Sequence, residues 1–115
     1  MASNSDVLRE KAMEVGGGSG AYIFTIGDHF MQIAAMNKGE IYSEAVSHHF
    51  MESLSPALEA SFSSLGYGLS DGANYSKTYP ATPEGIENFI NDAEIIFRDY
   101  YHEDINIPFE VMDAE

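Results

Sequence analysis

The segment AYIFTIGDHFMQIAAMNKGEIYSEAVS, residues 21–47, decides the fold. Ala21 to Ile26 is rich in β-branched and aromatic residues, the composition of a strand. Gly27-Asp28 supplies a turn, and His29 to Met36 reads as a second strand. Asn37-Lys38-Gly39 has the residue types that hairpin loops prefer. Glu40 to His48 is then a third strand. Its alternation sets Ile41, Ser43, Ala45 and Ser47 on one face and Tyr42, Glu44, Val46 and His48 on the other. Neither face of any strand is cleanly polar. One face is therefore expected to pack on helices and the other to form part of an interface.

Working outward, residues 5–15 form an expected N-terminal helix capped by Ser5, with Asp6 in its first turn. Its stripe of Val7, Leu8, Ala12, Met13 and Val15 is loose, so this helix is expected to fray or to pack on a partner. The run Gly16-Gly17-Gly18-Ser19-Gly20 lacks the Lys and the following helix of a phosphate-binding loop and reads as a flexible link into the sheet.

Downstream, a second helix is expected from about Ser55, with Pro56 at its first position, Leu58, Phe62 and Leu65 on one face, and Gly66 as its stop. Tyr67 to Ala73 reads as loop and Asn74 to Tyr79 as a short fourth strand. Thr82-Pro83-Glu84 is a clear helix start, and Ile86, Phe89, Ile90, Ala93, Ile96, Phe97 and Tyr100 keep helical spacing over about five turns, near 28 Å. The acidic tail, residues 102–115, carries Ile105, Ile107, Phe109, Val111 and Met112; an edge strand, an arm docked on a second subunit and a disordered end are all open, with a docked segment expected rather than a purely solvated one. The fold class is thus α+β: an antiparallel meander of three to four strands flanked by helices, one domain over residues 1–115 with its core at about 21–101.

Nineteen Asp and Glu against five Lys and Arg give a net charge of −14. That balance argues against direct nucleic-acid binding and against anionic membrane surfaces. It suits solubility, or an acidic face for a basic partner. There is no apolar run of the ~20 residues needed to span a bilayer, and the N-terminus lacks a secretory pattern. With no cysteine there is neither a disulfide nor a thiolate site, and a cytoplasmic location is expected.

Little in the chain suggests chemistry. His48-His49-Phe50-Met51-Glu52 invites a metal reading through His49 and Glu52, but adjacent imidazoles point to different sides and no second ligand pair follows. No metal or cofactor is expected. His29 and His102 are isolated from any Ser or Asp partner in the sequence. Glu44 stands out as an acid in an otherwise apolar strand, expected at the solvent face; a buried position would need a partner. The aromatic residues are mostly at core-compatible spacing; Tyr75, Tyr79, Tyr100 and Tyr101 are placed where a fourth strand and the end of the long helix can border a groove, with core positions expected for at least half of them.

The order of elements, with Ile41-Tyr42-Ser43-Glu44-Ala45-Val46-Ser47, Leu58 through Leu65-Gly66-Tyr67, Asn74-Tyr75-Ser76-Lys77 and the Ile86, Phe89, Ala93 helix, resembles the class I type III secretion chaperone fold. It also resembles the YbjN-type regulator and TY-Chap (chaperone-like) families, over about residues 21 to 101. Departures are His48 where Asn is usual, Asp71-Gly72 in place of a Pro, and the glycine run. The resemblance implies a small acidic cytoplasmic protein, often dimeric and without catalysis, that holds an extended client segment. The expected function is non-enzymatic protein binding, of a client or of a second copy as a homodimer. Phe30, Gln32, Ile33, Tyr42 and Glu44 are the expected contact residues. The alternatives are a small-molecule or signal-sensing domain with a closed apolar pocket between sheet and long helix, and an acidic mimic of nucleic acid.

Overall fold

The computed structural model describes residues 3–48, 50–51, 53–69 and 74–114. Three α-helices and a six-stranded antiparallel sheet make an α+β fold, with two more strands than the sequence suggests. The elements are α1 (Asn4–Gly16), β1 (Ala21–Ile26), β2 (His29–Ala34), β3 (Glu40–Ala45), α2 (Leu58–Ser64), β4 (Gly68–Leu69), β5 (Tyr75–Pro80), α3 (Pro83–Ile95) and β6 (Glu110–Asp113). Strand order across the sheet is β4-β5-β3-β2-β1-β6. The added strands are β4, in the expected loop, and β6, from the acidic tail, which pairs with β1 from Tyr22↔Asp113 to Thr25↔Glu110. The tail is therefore docked on its own chain, as a strand at the sheet's edge.

Period-2 alternation sorts the sheet into two faces. Phe24, Met31, Ile33, Ile41, Ala45 and Tyr79 point to one side and are buried there with Leu8, Ala12 and Val15 of α1 and Phe89, Ile90 and Ala93 of α3. Each large side chain so buried stabilises the fold by roughly 1.5–3 kcal/mol. The first helix thus packs on its own sheet, contrary to the expectation that it frays or waits for a partner. Leu8, Ala12 and Val15, at i, i+4 and i+7, form its buried stripe, while Met13 is 61% exposed. Its cap is Ser3, not Ser5: the Ser3 side chain accepts from the Asp6 N–H and the Asp6 carboxylate accepts from the Ser3 N–H. Ser5 instead donates to Glu94 at 2.6 Å.

The glycine run is a packed junction. Gly39 N–H donates to Gly16 O, and Ala35 N–H to Gly20 O. A Cβ on Gly16 would lie 2.6 Å from the Ala81 Cβ, so only glycine allows this approach of α1 to the end of β5.

The long helix starts as its sequence indicates, with the Thr82 side chain accepting from Gly85 N–H and Pro83 in the first turn. It remains α-helical only to Ile95; Ile96–Tyr100 winds as a π-helical turn, which ends at His102 with φ 57°. The second helix begins at Leu58, three residues later than expected, and its N-cap Ala57 has no side-chain cap; Ser55 accepts from the Ala57 N–H just ahead of it.

Between the sheet and α3 runs a hydrogen-bonded chain of polar groups. Ser43 Oγ and Tyr67 OH are 2.9 Å apart, Tyr79 OH donates to Tyr67 OH at 2.9 Å and to Asp92 Oδ2 at 2.7 Å, and Lys77 Nζ donates to Asp92 Oδ2 at 3.0 Å and Leu65 O at 2.6 Å. Among the described residues no buried side-chain donor or acceptor lacks a partner, the condition under which buried polar groups are tolerated.

Candidate functional site

Among the described residues no helix covers the sheet's second face. Reading the ladder from β5 to β6, its positions form the rows Ser76, Glu44, Gln32, Ile23, Met112 and Thr78, Tyr42, Ala34, Ala21, with Phe30, Thr25 and Glu110 alongside. On the central strands these side chains are half-buried by one another, and Met112 at the edge is 56% exposed. The surface is a mixture of Ile, Phe, Tyr, Met and Ala with short polar groups.

Phe30, Gln32, Tyr42 and Glu44 share this outer face, as the sequence suggests. Ile33 does not. It is completely buried on the helix side, opposite Ser43 and Tyr22 in the ladder, because neighbours on a strand point to opposite faces.

Glu44 lies near the middle of the outer face, half-buried, and its Oε1 accepts from the Tyr42 hydroxyl at 2.7 Å. Burial first, and the neighbouring carboxylate second, push the Tyr42 phenol up from its ordinary range, so it stays a donor. The outward strand positions hold the carboxylates Glu40, Glu44 and Glu110 but neither Lys nor Arg. Lys77, the cation nearest in sequence to Ser76, points the other way and serves Asp92. The outer face is thus apolar and acidic at once.

The remaining candidates resolve differently. His29 Nδ1 and Glu103 Oε2 are 2.8 Å apart, and the His29 ring stacks on Tyr101 at 4.7 Å and 14°. His29 is isolated in the sequence because its partner lies 74 positions away, and no local motif announces the pair. His48 lies by Tyr75, with 3.3 Å between Nδ1 and the hydroxyl. His49 and Glu52 lie outside the described residues, as do Asp71 and Gly72. Among the described residues no three His, Cys, Asp or Glu side chains are gathered as a metal site needs.

Of Tyr75, Tyr79, Tyr100 and Tyr101, core positions predominate, as the sequence favours for at least half of them. Tyr75, Tyr79 and Tyr101 are core residues, Phe62 stacks on Tyr75 at 4.0 Å, and Tyr101 OH donates to Val46 O at 2.7 Å. Only Tyr100 is half-exposed, donating to Ser61 O. The space between sheet and α3 is filled by Tyr67, Tyr79, Phe89 and the Lys77–Asp92 pair rather than left as a ligand pocket. An open groove of about 570 Å³ lies instead between α1 and α3, lined by Met13, Gly16, Ala81 and Ile86, with Arg9 paired to Glu87 at its rim.

Among the described residues no helix is long and apolar enough to cross a membrane. No family model matches the chain, and neither a curated protein nor a solved structure matches it.

Proposed function

We propose that this chain is a non-enzymatic, chaperone-like protein-binding module that holds a segment of a client protein against the outer face of its sheet. The observation that carries the reading is that, among the described residues, no helix lies over a face on which Ile23, Phe30, Ala34, Tyr42 and Met112 are grouped. Sheets with a solvated face usually alternate apolar-in and polar-out, and a face that breaks this pattern gains by being covered. A second copy of the chain is the competing occupant; two faces of like charge oppose that pairing.

The test is an affinity pull-down from the native host at physiological salt, run in parallel with Gln32→Arg on the outer face and Ala60→Arg on the exposed side of α2. A stoichiometric partner retained by Ala60→Arg and lost by Gln32→Arg supports the reading. Recovery of the bait alone, or equal retention by both variants, overturns it.

A further inference from the structure

We infer that the outer face selects a segment in which apolar residues accompany a Lys or Arg, and that Glu44 is the group that receives this cation. The inference names the partner chemistry of the proposed protein-binding face and rests on that reading.

Glu44 sits on β3, flanked in the ladder by Gln32 of β2 and Ser76 of β5. It is therefore two strands from the β4 edge and three from the β6 edge, half-buried among its neighbours, and a segment laid across the face would cover it. A half-buried carboxylate normally needs a compensating partner. Glu44 has the Tyr42 hydroxyl, which satisfies part of its acceptor capacity, and an ionised carboxylate has about four lone-pair sites. Its neighbours in the ladder are neutral, and no cation occupies an outward strand position.

Covering this face with a purely apolar segment would bury Glu44 without a counter-charge, which is unfavourable. Covering it with an acidic segment, or with a second copy carrying the same net charge of −14, adds repulsion. A Lys or Arg set among apolar residues removes both penalties. It completes the Glu44 acceptor set while its aliphatic stem lies along Phe30, Ile23 and Tyr42. The Tyr42–Glu44 hydrogen bond holds the carboxylate in place beforehand, which lowers the ordering cost of binding. The face is thus selective by what it rejects as well as by what it accepts.

The experiment measures fluorescence anisotropy of a labelled eight-residue alternating Lys/Val peptide, with the alternating Glu/Val peptide as counterpart, at about 150 mM salt, where charges beyond about 8 Å are largely screened. Binding of the Lys/Val peptide, at least tenfold tighter than the Glu/Val peptide, is expected. Glu44→Gln, which keeps shape and removes charge, should weaken it five- to tenfold, while Glu84→Gln in the first turn of α3 should change it less than twofold. Tyr42→Phe, which keeps the ring but removes the hydrogen bond that holds the carboxylate, should weaken Lys/Val binding about two- to threefold and leave Glu/Val binding unchanged, and keeps the test open if Glu44→Gln disturbs folding; equal effects on both peptides would count against the inference. Equal weakening by Glu44→Gln and Glu84→Gln would reduce the effect to net charge and overturn the inference, as would no preference between the peptides. A native partner that is lost by Gln32→Arg but binds Glu44→Gln unchanged would leave the protein-binding reading standing and remove this one.

Discussion

The Asn4 side-chain oxygen accepts a hydrogen bond from the Phe109 N–H at 2.9 Å, joining the first residue of α1 to a residue 105 positions later. The same side chain donates to Ile105 O and Ile107 O, each at 2.8 Å. One amide thereby holds three backbone groups of the C-terminal arm. Phe109 packs 5.6 Å from Phe24 and 5.0 Å from Phe97, and β6 continues from it onto the open side of β1. Asn4→Ala should cost about 1–3 kcal/mol, three bonds at the usual net value, some of them exposed. Faster hydrogen exchange at 105–113, with β2–β3 amides unchanged, is the expected readout. Asn4→Asp should not rescue, because it sets a carboxylate against two carbonyl oxygens. An unchanged arm in either variant contradicts this account of the docking.

Gly85 lies where α3 passes the end of β5. A Cβ there would fall 1.9 Å from Pro80 O, a backbone atom that no rotamer change can move. Gly85→Ala should therefore destabilise by about 2–3 kcal/mol or more, against the small gain that alanine brings to an open helix position. Chemical denaturation reads this directly, and a variant as stable as the parent would contradict the packing.

Tyr67, Tyr79 and Tyr101 are buried, and burial is the main force pushing each phenol up from its ordinary range; in Tyr79 and Tyr101 the neighbouring Tyr67 adds to it. Their unfolded counterparts ionise near pH 10. Above that pH the unfolded chain binds fewer protons than the folded one, so stability falls as pH rises. Below it, this contribution is fully present. Each tyrosine contributes up to about 1.4 kcal/mol of loss per pH unit above 10 until its folded form ionises. Tyrosinate absorbance and far-UV circular dichroism recorded together should show these phenols ionising only as the fold is lost. Full ionisation in a folded protein would refute the buried polar chain.

Lys77 and Asp92 form that chain's charged end, 3.0 Å apart with 27% and 15% of their side chains exposed. Lys77→Met leaves the Asp92 carboxylate with Tyr79 as its neutral donor and should cost about 1–3 kcal/mol, less than a fully buried pair because solvent reaches it. Arg98 and Asp99 are both exposed, and Arg98→Gln should leave stability measurably unchanged. Equal costs at the two sites would count against the distinction.

The first three strands were legible because their signals are local: Gly27-Asp28, Asn37-Lys38-Gly39 and alternation between them. Thr82-Pro83 announced α3 for the same reason. β4 was not legible and β6 was only one of several options for the tail, since two and four residues carry no periodicity and become strands only by pairing with β5 and β1. The burial of α1 was masked by Val7 and Met13, which blur a Leu8, Ala12, Val15 stripe. In the candidate site, Glu44 was visible as an acid out of place. Ile33 was grouped with Gln32 although strand geometry sends the two apart. The His29–Glu103 pair needed the fold, because its members lie on opposite ends of the chain.

The most direct test of the central claim is site-specific photo-crosslinking in the native host, with a benzophenone amino acid at Gln32 on the outer face or at Ala60 on α2. The account predicts one discrete higher-mass product from position 32, none from position 60, and loss of that product in Glu44→Gln if the captured segment uses a cation. No product from position 32, or equal products from both positions, would contradict the assignment of the sheet face as the binding surface.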